Sequence, residues 1–134
     1  MQIGNGSGRP PGRGRPLPAL ELEVMKVLWS GENEASVRDV QEALEPERPL
    51  AYTTVMTLLD RLSRKGAVSR RKQGRSFLYS PVLRRDTAAD RAVNRLVRDF
   101  FRNSRGELIA YLQSNPESVH EPPAAGREID SSLL

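Results

Sequence analysis

The fold is decided by residues 51–80, which read AYTTVMTLLDRLSRKGAVSRRKQGRSFLYS. In the first half of this stretch, apolar residues recur at helical spacing and form one stripe, made of Val55, Leu58, Leu59 and Leu62. This spacing predicts a helix over about 51–65, followed by Gly66 as the residue that ends it. In the second half, two short β-prone runs flank a turn that contains Gly74, which predicts a β-hairpin over 68–80.

Two shorter helices are predicted on the N-terminal side of this stretch. The first extends over about 19–30, and its inward face is predicted to consist of Leu20, Val24, Val27 and Leu28. The second extends over about 37–45, and Ser36 with Asp39 three residues later forms a capping box at its start. Three short helices followed by a hairpin are the order of a winged helix-turn-helix domain, which is mainly α with a small β-hairpin.

Composition divides the 134 residues into a body and two tails. Residues 1–16 are rich in Gly and Pro and contain three Arg without an acid, which predicts a disordered arm. Residues 17–83 form the predicted winged helix-turn-helix domain, and residues 84–114 form a helical segment. Residues 115–134 are acidic and interrupted by Pro and Gly, so they are predicted to be a second disordered tail.

The helical segment carries an apolar stripe that another protein surface is expected to bury. Asp86 or Thr87 is expected to cap a long helix, whose stripe consists of Ala89, Val93, Leu96, Val97 and Phe100. A shorter helix is predicted after Gly106, with Leu108, Ile109 and Leu112. A winged helix of this size can bury little of the stripe, so a partner is expected to cover it. Folding back onto its own domain is the alternative.

The charge is concentrated in one block. Residues 61–85 hold nine basic residues and no acid, whereas residues 17–60 come to −6, and the whole chain carries +4. A basic block inside an otherwise acidic domain is typical of a protein that binds a polyanion. A solvated basic surface is the alternative.

The predicted recognition helix and the hairpin, or wing, carry side chains suited to DNA. Hydroxyl groups and a Met on the exposed helix face can contact phosphates, bases or thymine methyl groups. Simple capping by Thr53 and Thr54 is the alternative, and Asp60 is expected to pair with Arg64 rather than to read a base. Cations around the wing turn can follow a phosphate strand or enter a minor groove. The predicted DNA-binding residues are Thr53, Thr54, Met56, Thr57, Arg61, Arg64, Arg70, Arg71, Lys72 and Arg75.

Several function classes are excluded by residues that the chain lacks. It has no Cys and a single His, His120, in a Pro- and Glu-rich stretch, so neither a zinc site nor a nucleophilic triad is expected. No cofactor is expected. No apolar run approaches about 18 residues and no apolar leader is present, so neither a membrane span nor a secretory signal is predicted. These features predict a soluble, cytoplasmic protein that is not an enzyme.

Several stretches resemble the penicillinase repressor family (BlaI/MecI type). Residues 22–44, with MKVLW and later VRDV, look like the opening of that family's sequences. AYTTVMTLLDRL at 51–62, closing on Lys65-Gly66, is similar to the family's recognition helix and is the most specific stretch. Tyr79-Ser80-Pro81 resembles the end of its wing, and the resemblance covers about residues 17–113.

The resemblance implies a homodimeric transcriptional repressor that binds a palindromic operator and controls β-lactam or other stress-response genes. It adds Tyr52 to the DNA-binding residues of the helix over about 51–65 and the wing over 68–80. It also implies a dimerisation segment that contains Phe100, Phe101, Leu108 and Leu112. An inactivating protease or another signal-transducing partner is implied as well, and residues 98–103 lie nearest to the family's cleavage region. Copper sensing through thiolates is excluded because the chain has no Cys.

Two other function classes match only part of the sequence. A winged-helix protein-interaction module would use the basic block to meet an acidic partner, and it would show no sequence preference on DNA. An enzyme would need a convergent set of acid, base or metal ligands, whereas the body offers only scattered carboxylates. The sequence therefore predicts a DNA-binding repressor.

Overall fold

The structure, a computed structural model, describes residues 14–31 and 34–115. The predicted arm and tail lie almost wholly outside the described residues. In the described part, the elements follow in the order α1 (Ala19–Ser30), α2 (Val37–Leu44), α3 (Tyr52–Arg64), β1 (Val68–Gln73), β2 (Ser76–Pro81), α4 (Arg85–Phe100) and α5 (Arg105–Ser114). Three helices and an antiparallel hairpin form the predicted winged helix-turn-helix fold. None of the described helices is both long enough and apolar enough to cross a membrane.

The capping box predicted for α2 is present. The Ser36 hydroxyl accepts a hydrogen bond from the Asp39 backbone N–H at 3.0 Å, and the Asp39 carboxylate accepts one from the Ser36 N–H at 3.0 Å. The box satisfies two backbone donors that a helix start leaves without intrahelical partners. It fixes the start of α2, whose inward face then packs against α1 and α3.

The end of α3 turns the chain sharply toward the wing. Gly66 adopts a left-handed conformation with φ of +81°, which a residue without a Cβ reaches at no steric cost. The Ala67 N–H donates to the Leu62 carbonyl at 2.9 Å and the Gly66 N–H to the Ser63 carbonyl at 3.1 Å, the two bonds of a Schellman motif. The prediction that Gly66 ends this helix is confirmed.

The core of the domain lies between the three helices and the base of the hairpin. α3 contributes the predicted stripe, and all four of its residues are buried. The predicted inward face of α1 is only partly right, because Leu20 and Val27 are half-buried while Met25 is fully buried. Glu21 is buried as well, and its carboxylate pairs with the ammonium group of Lys65 at the end of α3.

The wing is attached to the helical part of the domain through β2. Residues of β1 and β2 pair from Val68↔Pro81 to Gln73↔Ser76, and Gly74 in the turn has φ of +64°. Tyr79 of β2 also forms two backbone hydrogen bonds with Ala35, at 2.8 and 3.0 Å. β2 therefore lies between β1 and the segment that precedes α2, which ties the wing to the helical part of the domain.

The chain divides into two compact units, residues 1–95 and residues 96–134. The boundary lies within α4. The expectation that Asp86 or Thr87 caps α4 is wrong: the helix begins at Arg85, and the Arg84 carbonyl already accepts from the Ala88 N–H at 3.0 Å. The predicted division of the chain at residues 83 and 84 stays a prediction.

The second unit contains the end of α4, a tight turn and α5. The turn uses two left-handed residues, Arg102 and Asn103, and the Ser104 hydroxyl caps α5 by accepting from the Glu107 N–H at 3.1 Å. The expectation that the short helix starts after Gly106 is wrong, because this cap places its first residue at Arg105.

Candidate nucleic-acid interface

α3 presents a continuous polar and amphipathic face opposite its buried stripe. Tyr52 and Met56 are 45% and 43% exposed, although both are large and partly apolar. Of the other predicted contacts on α3, Thr54 is half-buried and the remainder are exposed, namely Thr53, Thr57, Arg61 and Arg64. Residues three or four apart share one face of a helix, so burial of the apolar stripe leaves these side chains together on the outward face.

Asp60 joins α3 to the wing. Its carboxylate lies 3.1 Å from the Arg64 guanidinium and 3.9 Å from that of Arg70. The expected pairing with Arg64 is present, whereas no sequence pattern predicts the contact with Arg70. Arg70 also lies over the ring of Phe77, 4.2 Å from its centroid. Arg70 is thus held between a carboxylate and an aromatic face.

A second carboxylate holds the neighbouring wing arginine. Glu34 accepts hydrogen bonds from Arg71 through both oxygens, at 2.8 and 2.9 Å. The hydrogen bond, reinforced by charge attraction, lowers the pKa of Glu34 and raises the pKa of Arg71. This pair spans 37 residues of sequence, so no local pattern indicates it.

Three predicted contact cations remain without a carboxylate partner among the described residues. Arg61 on α3 and Lys72 and Arg75 on the wing are all exposed. Lys72 and Arg75 flank Gly74, so two uncompensated charges stand at the tip of the hairpin. Such charges can approach a phosphate without first breaking an ion pair within the protein.

The residues predicted to mediate dimerisation differ in their exposure. Phe100 is 75% exposed, and Leu96, Leu112 and Ala89 are also exposed. Val93, Phe101 and Leu108 are half-buried, whereas Val97 is buried. The structure adds the exposed side chains of Ile109 and Tyr111, the second of which packs its ring 5.4 Å from that of Phe101. Ile109 was part of the predicted short apolar helix, while Tyr111 had no sequence signal of its own.

Comparison with known proteins identifies relatives of the chain. A family model described as penicillinase repressor matches residues 17–121. The transcriptional regulator BlaI of Mycobacterium tuberculosis is 49% identical over 70 residues, which are 52% of this chain and 51% of that protein. The penicillinase repressor of Bacillus licheniformis is 27% identical over 97 residues, covering 72% of this chain and 75% of that protein.

A solved structure is also similar. The solution structure of the DNA-binding domain of the repressor BlaI shares 30% identity, covers 59% of this chain and 92% of that chain, and gives a TM-score of 0.48. The match to the mycobacterial regulators spans about half of their length. Because the family model covers most of the chain, including α1 to α5, the chain belongs to the penicillinase repressor family.

Proposed function

We propose that this protein is a homodimeric transcriptional repressor that binds a palindromic operator through α3 and the wing. The observation that carries the proposal is the exposed hydroxyl and methionine face of α3, with uncompensated cations on the same helix and on the wing. The matching family model is described as penicillinase repressor, which supports a repressor rather than an enzyme.

α3 and the wing have different roles in this proposal: α3 reads the bases, and the wing positions the protein on the DNA backbone. In the major groove, the first turns of α3 would bring Thr53, Met56 and Thr57 to base edges. Arg61 lies further along the helix, where contact with the phosphate backbone is expected. Lys72 and Arg75 at the wing tip would contact phosphates beside the groove or enter the adjacent minor groove.

The acid-paired arginines have a different part in this proposal. To contact a phosphate, Arg70 would have to leave Asp60, and Arg71 would have to leave Glu34. Each of them therefore adds less binding free energy than an uncompensated cation adds. We infer that their main contribution is to hold the wing beside α3. Arg64 shares Asp60 with Arg70 and is expected to contribute less than Arg61.

Two copies of the chain would engage the two half-sites of a palindrome. The exposed apolar side chains of the second unit, led by Phe100 and Ile109, offer the surface for this contact. In this proposed role, the protein acts in the cytoplasm and regulates β-lactam or other stress-response genes. An inactivating protease or another signalling partner controls it.

Gel-shift titration and footprinting on the DNA upstream of the protein's own gene test this function. A dimer that places three or four cations per subunit on phosphates should give a log–log salt slope of about −5 to −7. A protected palindrome with this slope supports the proposal. A flat salt response, or equal affinity for operator and random duplex, would instead indicate a protein-interaction module.

A further inference from the structure

A basic cleft lies within the first unit, apart from the proposed DNA interface. Its volume is about 930 Å³, within the range of small-molecule sites. Its walls come from residues 14–18, the turn after α3, residues 82–84 and three residues of α4 spaced four apart, Thr87, Arg91 and Arg95. None of the residues predicted to contact DNA lines it. The lining contains five cations and no acid: Arg15, Lys65, Arg84, Arg91 and Arg95.

Arg91 is the side chain that most needs a ligand. Its Nε is buried and has no hydrogen-bond partner among the described residues. A buried donor of this kind is rare in folded proteins, because native structures pair nearly all of their buried polar groups. Gly14 packs directly against the guanidinium, since a Cβ at that position would lie only 2.7 Å from Cζ. The backbone of residue 14 thus shields one part of the group.

The other cations differ in how far they are already compensated. Lys65 is bound to the buried carboxylate of Glu21. Arg84 lies 3.8 Å from Asp86, but both side chains are highly exposed, and such a pair is weak in water. Arg15 makes no ion pair with a described residue. Two cations at the rim can therefore turn toward a ligand held by Arg91.

We propose that this cleft binds a small oxyanion with at least two negative charges, of the phosphate or carboxylate class. A guanidinium offers a planar pair of donors that matches either group. Arg91 is the principal contact, and Arg15 and Arg84 supply further charge. Leu17 and Leu83 in the same lining provide apolar surface for an organic part of the ligand.

The same chemistry has a second source, a phosphate of the DNA backbone. The concave shape and the absence of α3 and wing contact residues from its walls favour the free anion. The experiment therefore needs one arm for a small anion and another for DNA.

The first arm is calorimetric titration of the full chain with pyrophosphate and with citrate at constant ionic strength. One saturable site per chain is expected. R91M should weaken binding by at least about tenfold, because it removes charge-assisted hydrogen bonds. R91K should recover part of the loss, since it keeps the charge without the planar fork. R38M, which removes the same charge from an exposed position of α2 outside the cleft, is the matched control and should bind like wild type.

Two further variants keep the test decisive if R91M unfolds. G14L removes no cation but forces the Arg91 guanidinium to move, so it should weaken binding. The double variant R15M/R84M changes only exposed rim side chains and should weaken binding as well. Equal affinity of wild type and these variants, or an equal loss in R38M, would overturn the proposal.

The second arm measures the salt slope of operator binding for R91M. An unchanged slope is expected. A slope flattened by about one unit per lost contact would assign Arg91 to a DNA phosphate and would overturn the small-anion site.

Discussion

Carboxylates at three positions engage basic side chains of the wing and of the turn after α3. Glu34 binds Arg71, and Asp60 on α3 contacts Arg70 of the wing. The buried carboxylate of Glu21 binds the more exposed Lys65. The first two pairs are exposed to solvent and so contribute little stability. The third has a carboxylate side chain that is only 4% exposed, which makes the loss of its partner costly.

The Glu34–Arg71 pair should make stability depend on pH in acid. The hydrogen bond from Arg71 holds the pKa of Glu34 below its ordinary value of 4.5. The pair therefore stabilises the native state fully above that pH, and the contribution is lost as the pH falls through the lowered pKa. E34Q should be slightly less stable than wild type near neutral pH and equally stable in strong acid. Thermal unfolding at both pH values measures this, and a difference that persists in acid contradicts it.

The buried Glu21 carboxylate should make Lys65 more important than an ordinary surface lysine. K65M leaves the carboxylate without its partner and should lower the free energy of unfolding by about 1–3 kcal/mol. The double variant E21M/K65M removes the stranded charge and should recover most of that loss. Denaturant unfolding of the two variants provides the comparison. A double variant that is less stable than K65M would show that the pair itself stabilises the fold.

At the scale of elements, we expect the wing and α3 to have separable effects on DNA binding. K72A and R75A should weaken operator and random DNA alike and flatten the salt slope by about one unit per lost contact. R71A should have a smaller effect on the slope, because Glu34 already neutralises much of its charge. E34Q, which frees that guanidinium, is the matched opposite and should strengthen binding to random duplex. Salt-dependent gel shifts decide the order, and an R71A slope change as large as that of R75A contradicts it.

Substitutions on α3 should change sequence discrimination instead. M56A or T57A should cost about 1–3 kcal/mol on the operator and little on random duplex, because these side chains face base edges in the proposed complex. Both positions are exposed in the free domain, so its thermal unfolding should not change. If wing variants alter sequence preference while these variants do not, the assignment of the two elements is reversed.

At the level of the whole molecule, the second unit is proposed to join two DNA-binding domains. L96A/F100A should yield a monomer, because truncating a buried Phe at an interface costs about 3–5 kcal/mol and the dimer contains that residue twice. Both side chains are exposed in the single chain, so the monomer should keep its fold. It should bind a half-site weakly and lose the advantage of a full operator.

Analytical ultracentrifugation and gel shifts on one and two half-sites test this link between assembly and binding. V82A is a suitable control, since Val82 is exposed and apolar but lies in the first unit. A variant that stays dimeric, or a monomer with full operator affinity, would place dimerisation elsewhere.

The linear sequence pattern was sufficient to predict the winged helix and the exposed face of α3. The capping box at Ser36, the buried stripe of α3 and the helix end at Gly66 all depend on residues within one or two turns of each other. Local backbone hydrogen bonding and helical periodicity dictate such features, so a linear pattern is enough to predict them. The start of α4 was misplaced because Asp86 and Thr87 are good cap residues that the helix uses in its first turn instead.

Which cations are available to bind a ligand depends, by contrast, on contacts between residues far apart in the sequence. Glu34 meets Arg71 across 37 positions and Glu21 meets Lys65 across 44, and Gly14 covers Arg91 from the other end of the first unit. Whether such a cation is paired depends on distances that folding sets, and the neighbouring residues in the sequence do not indicate those distances. The sequence therefore indicated a basic surface, while the packing of α1, the wing and α4 separated it into paired, uncompensated and cleft-lining cations.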